Sequence, residues 1–202
     1  MSVVRKPVVL ITGASGEIGH GLIERLAREG RRPIITLDLK PLDPPQAALV
    51  QQQYAGSILD EQLLERILAE YEVELVFHLA ALLSTRAEFT PTTAHHVNVE
   101  GTIRLLEFAQ KEGESHGRPV VFLYPSSIAV YGLPDLATKA RAGKLAEDVW
   151  NAPTTMYGCN KLYCEHLGRY FTFYARQLGA LSSAARLDFR ALRFPGLMSG
   201  DT

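Results

Sequence analysis

Short apolar runs alternate along the chain with longer segments in which apolar residues recur every three or four positions. The short runs are rich in Val, Ile and Leu and are bounded by Gly, Pro or Asp, so they predict buried strands at 8–12, 33–38, 74–80, 119–127 and 188–194. The longer segments predict helices at 16–30, 60–71, 93–113 and 155–177. Asp60 stands at the start of the second helix, where its side chain is expected to act as the N-cap.

This alternation of continuous apolar strands with helices is typical of βαβ units. It predicts an α/β fold with a doubly wound parallel sheet of the Rossmann type and helices on both faces. A chain of 202 residues is long enough for one substantial core, so we expect a single domain over residues 1–202. Only the stretch 132–153 lacks a clean period, and a loop of that length is usually functional or disordered.

Charge and cysteine usage narrow the function classes. The net charge of −1 gives no electrostatic reason to expect a nucleic-acid or membrane partner. No apolar run approaches the roughly 18 residues that would span a bilayer, and the N-terminus lacks the features of a signal peptide. Cys159 and Cys164 would point in different directions on a helix, which argues against a disulfide and favours a reducing compartment. We therefore expect a cytoplasmic protein.

Metal-ligand spacing is missing from the sequence. His95 and His96 are adjacent, so they point to different faces of the predicted helix, and no Cys, Asp and Glu pattern typical of a metal site lies nearby. We expect no metal site. His78, at the end of an apolar strand, is expected to be a packed core residue and not a catalyst.

A glycine-rich turn joins the first predicted strand to the first helix, with Gly13, Gly16 and Gly19 three residues apart. A phosphate-binding turn needs glycines for the sharp bend, for the approach of backbone N–H groups to a pyrophosphate, and for close packing of helix on strand. The helix N-terminus would then face the phosphates with its partial positive charge. The alternative is an ordinary tight turn without a ligand.

Asp38 ends the second predicted strand, 19 residues after Gly19. A carboxylate there can accept hydrogen bonds from the adenosine ribose hydroxyls and would repel a 2′-phosphate. Lys40 is the nearest cation, and no arginine follows directly. The sequence therefore favours NAD over NADP, unless Asp38 is a solvated acid at the strand end.

Tyr157 and Lys161 are four residues apart on a predicted helix and so share one face. Oxidation of a secondary alcohol needs a base for the hydroxyl proton while hydride leaves the carbon. A free tyrosine, with a pKa near 10, is a poor base at neutral pH, but a neighbouring ammonium favours the phenolate. Both residue types are common on helix surfaces, so the spacing alone does not decide between catalysis and an ordinary helix.

Several motifs occur together in a characteristic order: the glycine turn, "HLAA" (78–81), "NVEGT" (98–102), "SSIAVYG" (126–132) and "YGCNK" (157–161). In this combination the chain resembles the extended short-chain dehydrogenase/reductase family. The stretches "HLAALLSTRAEFTP", "YPSSIAVYG", "PTTMYGCNK" and "RALRFPGLMS" resemble the short-chain L-threonine 3-dehydrogenases within that family. Members continue past the "FPG" segment into a smaller substrate-binding portion, so we expect most of that portion, after residue 196, to be missing.

The resemblance implies roles for individual residues. Tyr157 is expected to be the general acid/base, and Lys161 to bond the nicotinamide ribose and lower the tyrosine pKa. Ser127 is expected to hold the substrate oxygen, with Ser126 as its rival. The remaining substrate candidates are Ser84 and Thr155. The predicted cofactor site comprises Gly13, Ser15, Gly16, Glu17, Ile18, Gly19, Asp38, Leu79, Ala80, Ala81, Asn98, Tyr157 and Lys161.

Each of these assignments competes with a structural alternative. Ser127 could cap a turn at the strand end, and Thr155 could cap the helix that carries Tyr157. Ser84 could be a loop hydroxyl in water. Asn98 could position a water or stabilise the fold, or it could lie on the helix surface.

The expected function is an NAD-dependent oxidoreductase that oxidises a secondary alcohol with a Ser-Tyr-Lys site, as an L-threonine 3-dehydrogenase does. The alternative is a nucleotide-sugar epimerase or dehydratase using bound NAD. A non-catalytic NAD(P)-sensing module is a third reading, which the Ser, Tyr and Lys set disfavours. The expected partner is a small-molecule substrate. The resemblance also implies a homodimer through the helices beginning near Thr92 and Thr155, although packing on the sheet could satisfy these helices.

Overall fold

Six strands form one sheet in the computed structural model, which describes residues 5–175 and 186–196. The strands are β1 Lys6–Thr12, β2 Ile34–Asp38, β3 Gln52–Ala55, β4 Tyr71–His78, β5 Val120–Ser127 and β6 Leu187–Phe194. They lie in the order β3-β2-β1-β4-β5-β6, and every neighbouring pair is parallel. The strand order reverses between β1 and β4, which places a ligand-binding crevice beyond their carboxyl ends. The predicted Rossmann-type α/β fold is confirmed.

Eight α-helices connect these strands in the described residues. They are α1 Glu17–Glu29, α2 Pro44–Ala47, α3 Glu61–Glu70, α4 Ser84–Phe89, α5 Pro91–His95, α6 Gly101–His116, α7 Leu136–Ala142 and α8 Met156–Phe173. A π-helical turn, His96–Glu100, joins α5 to α6, and a 3-10 turn, Ile128–Val130, follows β5. In the described part of the chain no helix has the length and apolar character needed to cross a membrane.

The structure differs from the sequence prediction in several places, among them the short helices α2 and α4, which were not predicted. Strand β3 was not predicted because its sequence is polar and only Tyr54 is buried. The stretch 132–153 contains α7, which begins where the Asp135 carboxylate accepts a hydrogen bond from the Thr138 N–H at 2.7 Å. The predicted helix 93–113 is interrupted by the π turn. The predicted strand 74–80 lies three residues too far along at its start and two at its end.

Other predicted boundaries agree closely. Asp60 caps α3 as expected, because its carboxylate accepts from the Leu63 N–H at 3.1 Å. Helix α8 begins after Thr155, and the last part of the predicted helix, beyond residue 175, lies outside the described residues. Both cysteines are free thiols, Cys159 exposed and Cys164 buried, as their spacing predicted.

Helices cover the two faces of the sheet unequally. On the first face, α3, α6 and α8 pack over the larger core, which includes Leu10, Phe122 and Tyr124. On the second face, Ile23 of α1 packs on a smaller core built mainly from β1 and β2. Over β5 this second face is open: Val121 and Leu123 are partly exposed and line a cavity of about 410 Å³.

The unequal covering predicts different costs for truncating neighbouring residues of β5. Phe122 is fully buried on the first face, so Phe122→Ala should lower the free energy of unfolding by about 3–5 kcal/mol. Leu123 lies on the open face, and Leu123→Ala should cost less than about 2 kcal/mol because less apolar surface leaves the core. Urea unfolding followed by circular dichroism measures both. Equal losses would show that the second face is covered as well as the first.

Candidate active site

The glycine turn between β1 and α1 packs against the chain that leaves β4. Gly13 has a φ of +70°, and a Cβ at this position would lie 2.5 Å from the backbone nitrogen of Ala80. Only glycine fits this close approach. In the described residues no side chain caps the N-terminus of α1, which leaves its first N–H groups available to an anion. The turn therefore has the backbone and the open donors that a pyrophosphate requires.

Asp38 reaches this turn from the end of β2. Its carboxylate accepts hydrogen bonds from the backbone N–H of Ser15 at 3.0 Å and of Lys40 at 3.1 Å. The bond to Ser15 holds the acid beside the turn instead of leaving it free in solvent. The Leu79 N–H donates to the Thr12 carbonyl oxygen at 2.9 Å, which keeps the chain after β4 beside β1.

The structure thus gathers the predicted cofactor residues of three strand ends at one edge of the sheet: the turn 13–19, Asp38 and the chain 79–81. An open helix N-terminus beside a tight glycine turn, with a carboxylate one strand away, fits a dinucleotide such as NAD.

Asn98 is fully enclosed, with only 2% of its surface exposed, and fixes the loop after β4. Its side chain accepts from the Leu82 N–H at 2.7 Å and donates to the Leu82 carbonyl oxygen at 3.0 Å. It also donates to Asn160 Oδ1 of α8 at 3.4 Å. The surface alternative for Asn98 is therefore wrong, and the structural alternative describes its contacts.

Asn98 lies in the π turn, and its backbone carbonyl also accepts hydrogen bonds from side chains. In this turn the N–H of Gly101 bonds to the carbonyl of His96, five residues back. The Asn98 carbonyl accepts from the Thr102 hydroxyl at 2.6 Å and the Cys164 thiol at 3.3 Å. Such turns are frequent at functional sites because they free backbone groups inside a helix.

His78 lies in the core under the site, as the sequence predicted. Because the Thr102 hydroxyl donates to the Asn98 carbonyl, it accepts from His78 Nε2–H at 3.0 Å. The other ring nitrogen, Nδ1, then accepts from the Thr12 hydroxyl at 2.8 Å. Burial lowers the pKa of His78 to about 3, with a smaller contribution from Lys161, so the ring is neutral at physiological pH.

Tyr157 and Lys161 lie in the first turns of α8. The Thr155 hydroxyl caps this helix by accepting from the Gly158 N–H at 3.0 Å. The ammonium of Lys161 donates to the Pro125 carbonyl oxygen at 2.6 Å and lies 5.5 Å from the centroid of the Tyr157 ring. The spacing of four residues therefore does bring the two side chains together.

Burial shifts the proton affinities of this pair. It lowers the pKa of Lys161 to about 8, because desolvation penalises the ammonium. It raises the pKa of Tyr157 above its ordinary value, because desolvation penalises the phenolate. Positive charge that favours the phenolate has to outweigh this desolvation.

Ser127 and Ser126 end β5 and point to opposite sides of the strand. Ser127 Oγ accepts from the Ala129 N–H at 3.1 Å, which caps the 3-10 turn and leaves its own proton free to donate. Ser126 is buried and donates to the Glu165 carboxylate. Gly158 packs so closely on the turn after Ser127 that a Cβ there would lie 2.1 Å from the Ala129 carbonyl oxygen. The turn that follows Ser127 therefore packs against the start of α8, whereas the Ser126 side chain is engaged by Glu165 further along the same helix.

Ser84 is exposed at the start of α4, and Glu88 lies one turn further along the same helix. The Glu88 carboxylate accepts from the backbone N–H of Tyr157 at 3.3 Å, so α4 is held against the start of α8. Sequence reasoning missed Glu88 because its partner is 69 residues away. It also left Asn160 unassigned for the same reason.

A second missed feature orders the stretch 132–153. Arg193 of β6 forms two hydrogen bonds to Glu165, at 2.9 and 2.7 Å, and donates to the Glu147 carbonyl oxygen at 2.9 Å and to Asn151 Oδ1 at 3.1 Å. These bonds tie the stretch to β6. Beyond β5 and β6 lies a cavity of about 860 Å³, lined partly by Ile128, Lys139 and Arg193.

Known proteins resemble this chain over nearly its whole length. Over 210 residues the chain is 30% identical to the mitochondrial L-threonine 3-dehydrogenase of Sus scrofa, covering 100% of this chain and 48% of that protein. The GalE-like L-threonine dehydrogenase of Cupriavidus necator in its holo form superposes with a TM-score of 0.78 at 29% identity, covering 97% of this chain and 57% of that one. MoeE5 in complex with UDP-glucuronic acid and NAD superposes with a TM-score of 0.70 at 28% identity, covering 92% and 54%.

The chain spans about half the length of these relatives. The model of a family described as the NAD dependent epimerase/dehydratase family matches residues 9–178, which include the glycine turn, Asp38, Ser127, Tyr157 and Lys161. This match confirms the expectation of an NAD cofactor and of an enzyme family. The chain therefore belongs to the NAD dependent epimerase/dehydratase family.

Proposed function

We propose that this chain provides the cofactor site and the proton-transfer site of an NAD-dependent dehydrogenase that oxidises the secondary alcohol of L-threonine. The observation that carries the proposal is the arrangement of Tyr157 and Lys161 in the first turns of α8, next to the turn that follows Ser127. Similarity to L-threonine dehydrogenases at about 30% identity supports the substrate.

The cofactor would be held at the carboxyl edge of the sheet. The glycine turn and the N-terminus of α1 bind the pyrophosphate, and Asp38 accepts from the adenosine ribose hydroxyls. The side chain of Lys161 binds the nicotinamide ribose. Bound NAD⁺ supplies the acceptor for the hydride that leaves the substrate carbon.

Tyr157 takes the hydroxyl proton while the hydride leaves. Since burial raises the pKa of Tyr157, its phenolate is favoured only by positive charge nearby, which Lys161 supplies. Ser127 donates its free hydroxyl proton to the substrate oxygen and so orients the alcohol toward Tyr157. Ser84, on the helix that Glu88 holds against α8, contacts the polar end of a small substrate. Thr155 contributes as the cap of α8.

A nucleotide-sugar epimerase or dehydratase is the second candidate, because MoeE5 binds a UDP-sugar on a similar fold. The same Tyr157, Lys161 and Ser127 would serve that chemistry. The two candidates differ in the size of the substrate, since a nucleotide diphosphate needs a longer pocket with more cations than a free amino acid.

The α8 stripe, consisting of Cys159, Tyr163, His166, Tyr170 and Phe173, supports a further part of the proposal. These residues are exposed and recur every three or four positions, with Phe173 67% exposed. We propose that the stripe packs against a second copy of the chain, because this contact would remove large aromatic side chains from water. The free thiols of Cys159 and Cys164 fit a reducing compartment, and we propose that it is the cytoplasm.

The substrate assignment predicts that the purified protein forms NADH from NAD⁺ and L-threonine. Reduction of NADP⁺ should be much slower, because Asp38 would repel the 2′-phosphate. Absorbance of the reduced nicotinamide measures both rates, and UDP-glucose serves as the competing substrate. Interconversion of a UDP-sugar without turnover of threonine would support the epimerase instead.

The proton-transfer role predicts that Tyr157→Phe lowers the rate of threonine oxidation by about 10²- to 10⁴-fold, because the base is lost. The affinity for NAD⁺, measured by isothermal titration calorimetry, should stay nearly unchanged because the cofactor contacts of the turn and Asp38 remain. Tyr163→Phe is the matched control on the same helix and should keep its rate. A Tyr157→Phe protein with normal turnover would refute the assigned role.

If the chain dimerises through the α8 stripe, its association should depend on concentration, and a single charged substitution in the stripe should abolish it. Sedimentation velocity should show a dimer for the unchanged chain and a monomer for Tyr170→Glu, which buries a carboxylate in the proposed contact. Arg169→Glu changes the neighbouring exposed position and should stay dimeric. An unchanged chain that sediments as a monomer at high concentration would contradict the dimer.

A further inference from the structure

Lys161 carries its charge in an unusual setting. Its surface is 3% exposed, yet none of the salt bridges within residues 5–175 and 186–196 includes it. A buried ammonium without a counter-ion is strongly disfavoured unless other groups stabilise it. Two groups lie closest to the ammonium, the Pro125 carbonyl oxygen at 2.6 Å and the ring of Tyr124, whose centroid is 4.4 Å away; the centroid of the Tyr157 ring is farther, at 5.5 Å.

Tyr124 is held rigidly under this ammonium. It is 3% exposed on β5, and its ring centroid lies 5.7 Å from that of Phe189 and 6.0 Å from that of His78. Burial holds the pKa of Tyr124 well above its ordinary value, so the phenol is neutral. The ring therefore offers Lys161 its negative face and no formal charge.

Cys164 and Glu165 favour the charged form of Lys161 electrostatically, but in the described part of the chain neither forms a hydrogen bond or an ion pair with its ammonium. His78 on β4 is neutral, as described above. Glu165, one turn along α8, is already engaged by Arg193 in two hydrogen bonds. Among the described residues, the titratable groups that face Lys161 are His78 from β4, Tyr124 from β5, and Tyr157, Cys164 and Glu165 from α8.

We propose that Tyr124 is a positioning residue for Lys161: the face of its buried ring keeps the ammonium charged and fixed beside Tyr157. The ring and the Pro125 carbonyl come from consecutive residues of one strand, so β5 places both at once. Loss of the ring face would leave the carbonyl as the main support of the charge, and the ammonium would release its proton more readily.

This contact has a consequence for catalysis that rests on the proposed function. The Lys161 ammonium, 5.5 Å from the Tyr157 ring centroid, favours the phenolate only while it is charged. A protein without the Tyr124 ring should therefore need a higher pH to ionise Tyr157. The charge state of Lys161 can be measured in the protein without any enzymatic turnover.

The test is an NMR titration of the Lys161 side chain in protein carrying ¹³C,¹⁵N-labelled lysine, with the signal assigned from Lys161→Arg. The unchanged chain should titrate near the pKa of about 8 that its burial produces. Tyr124→Phe should keep that value, because the ring face remains. Tyr124→Leu should lower the pKa of Lys161 by about one unit, the size expected for a desolvated cation–π contact.

Two further variants separate the ring face from general packing. A trifluorinated phenylalanine at position 124 keeps the ring shape but weakens its negative face, so it should give a Lys161 pKa between those of the Phe and Leu variants. It also keeps the test decisive if Tyr124→Leu fails to fold. Phe122→Leu removes an equally buried ring from the same face of β5 and should leave the Lys161 titration unchanged.

The proposal is overturned if the fluorinated ring titrates like phenylalanine, or if Phe122→Leu lowers the pKa as much as Tyr124→Leu. In threonine oxidation, the rise of rate with pH should move to higher pH in Tyr124→Leu and not in Tyr124→Phe. Absence of threonine turnover in every variant, including the unchanged chain, would count against the proposed function and leave the titration to decide the role of Tyr124.

Discussion

Parallel hydrogen bonding of β1 to both β2 and β4 holds three strand ends side by side at one edge of the sheet. Because the strands run the same way, the chain leaves each of them at this edge: into the glycine turn, into Asp38 and Lys40, and into the loop that Asn98 fixes. A shift of any of these segments relative to the others would break backbone hydrogen bonds between the strands that carry them. The geometry of the site is therefore a property of the sheet first and of individual side chains second.

Features that depend on residues close together in the sequence could be predicted. The glycine turn, the acid at the end of β2 and the Tyr157–Lys161 pair all depend on residues a few positions apart or on a recognisable strand end. Asn98 could not be placed, because its partners Leu82 and Asn160 are 16 and 62 residues away. Nor could β3 be predicted, since an edge strand with one buried side chain has almost no apolar pattern.

Burial acts in opposite directions on the groups that the proposed reaction needs. Burial favours the neutral forms of both Lys161 and Tyr157. It also keeps the buried ring of His78 neutral. Charge at this site is therefore sustained by specific contacts and not by solvent. Arg193 and Glu165 follow the opposite arrangement, since two partly enclosed charges satisfy each other through two hydrogen bonds.

The π turn at His96–Glu100 has a geometric consequence for the whole segment 91–116. An α-helix advances by about 100° per residue, so one additional residue in a turn rotates everything before it by roughly that angle relative to everything after it. The turn therefore changes which residues face the sheet. The apolar side of α6 packs on the sheet, while Asn98 bonds to the loop that follows β4 and to helix α8. A regular helix through the same residues would have to give up one of these two alignments.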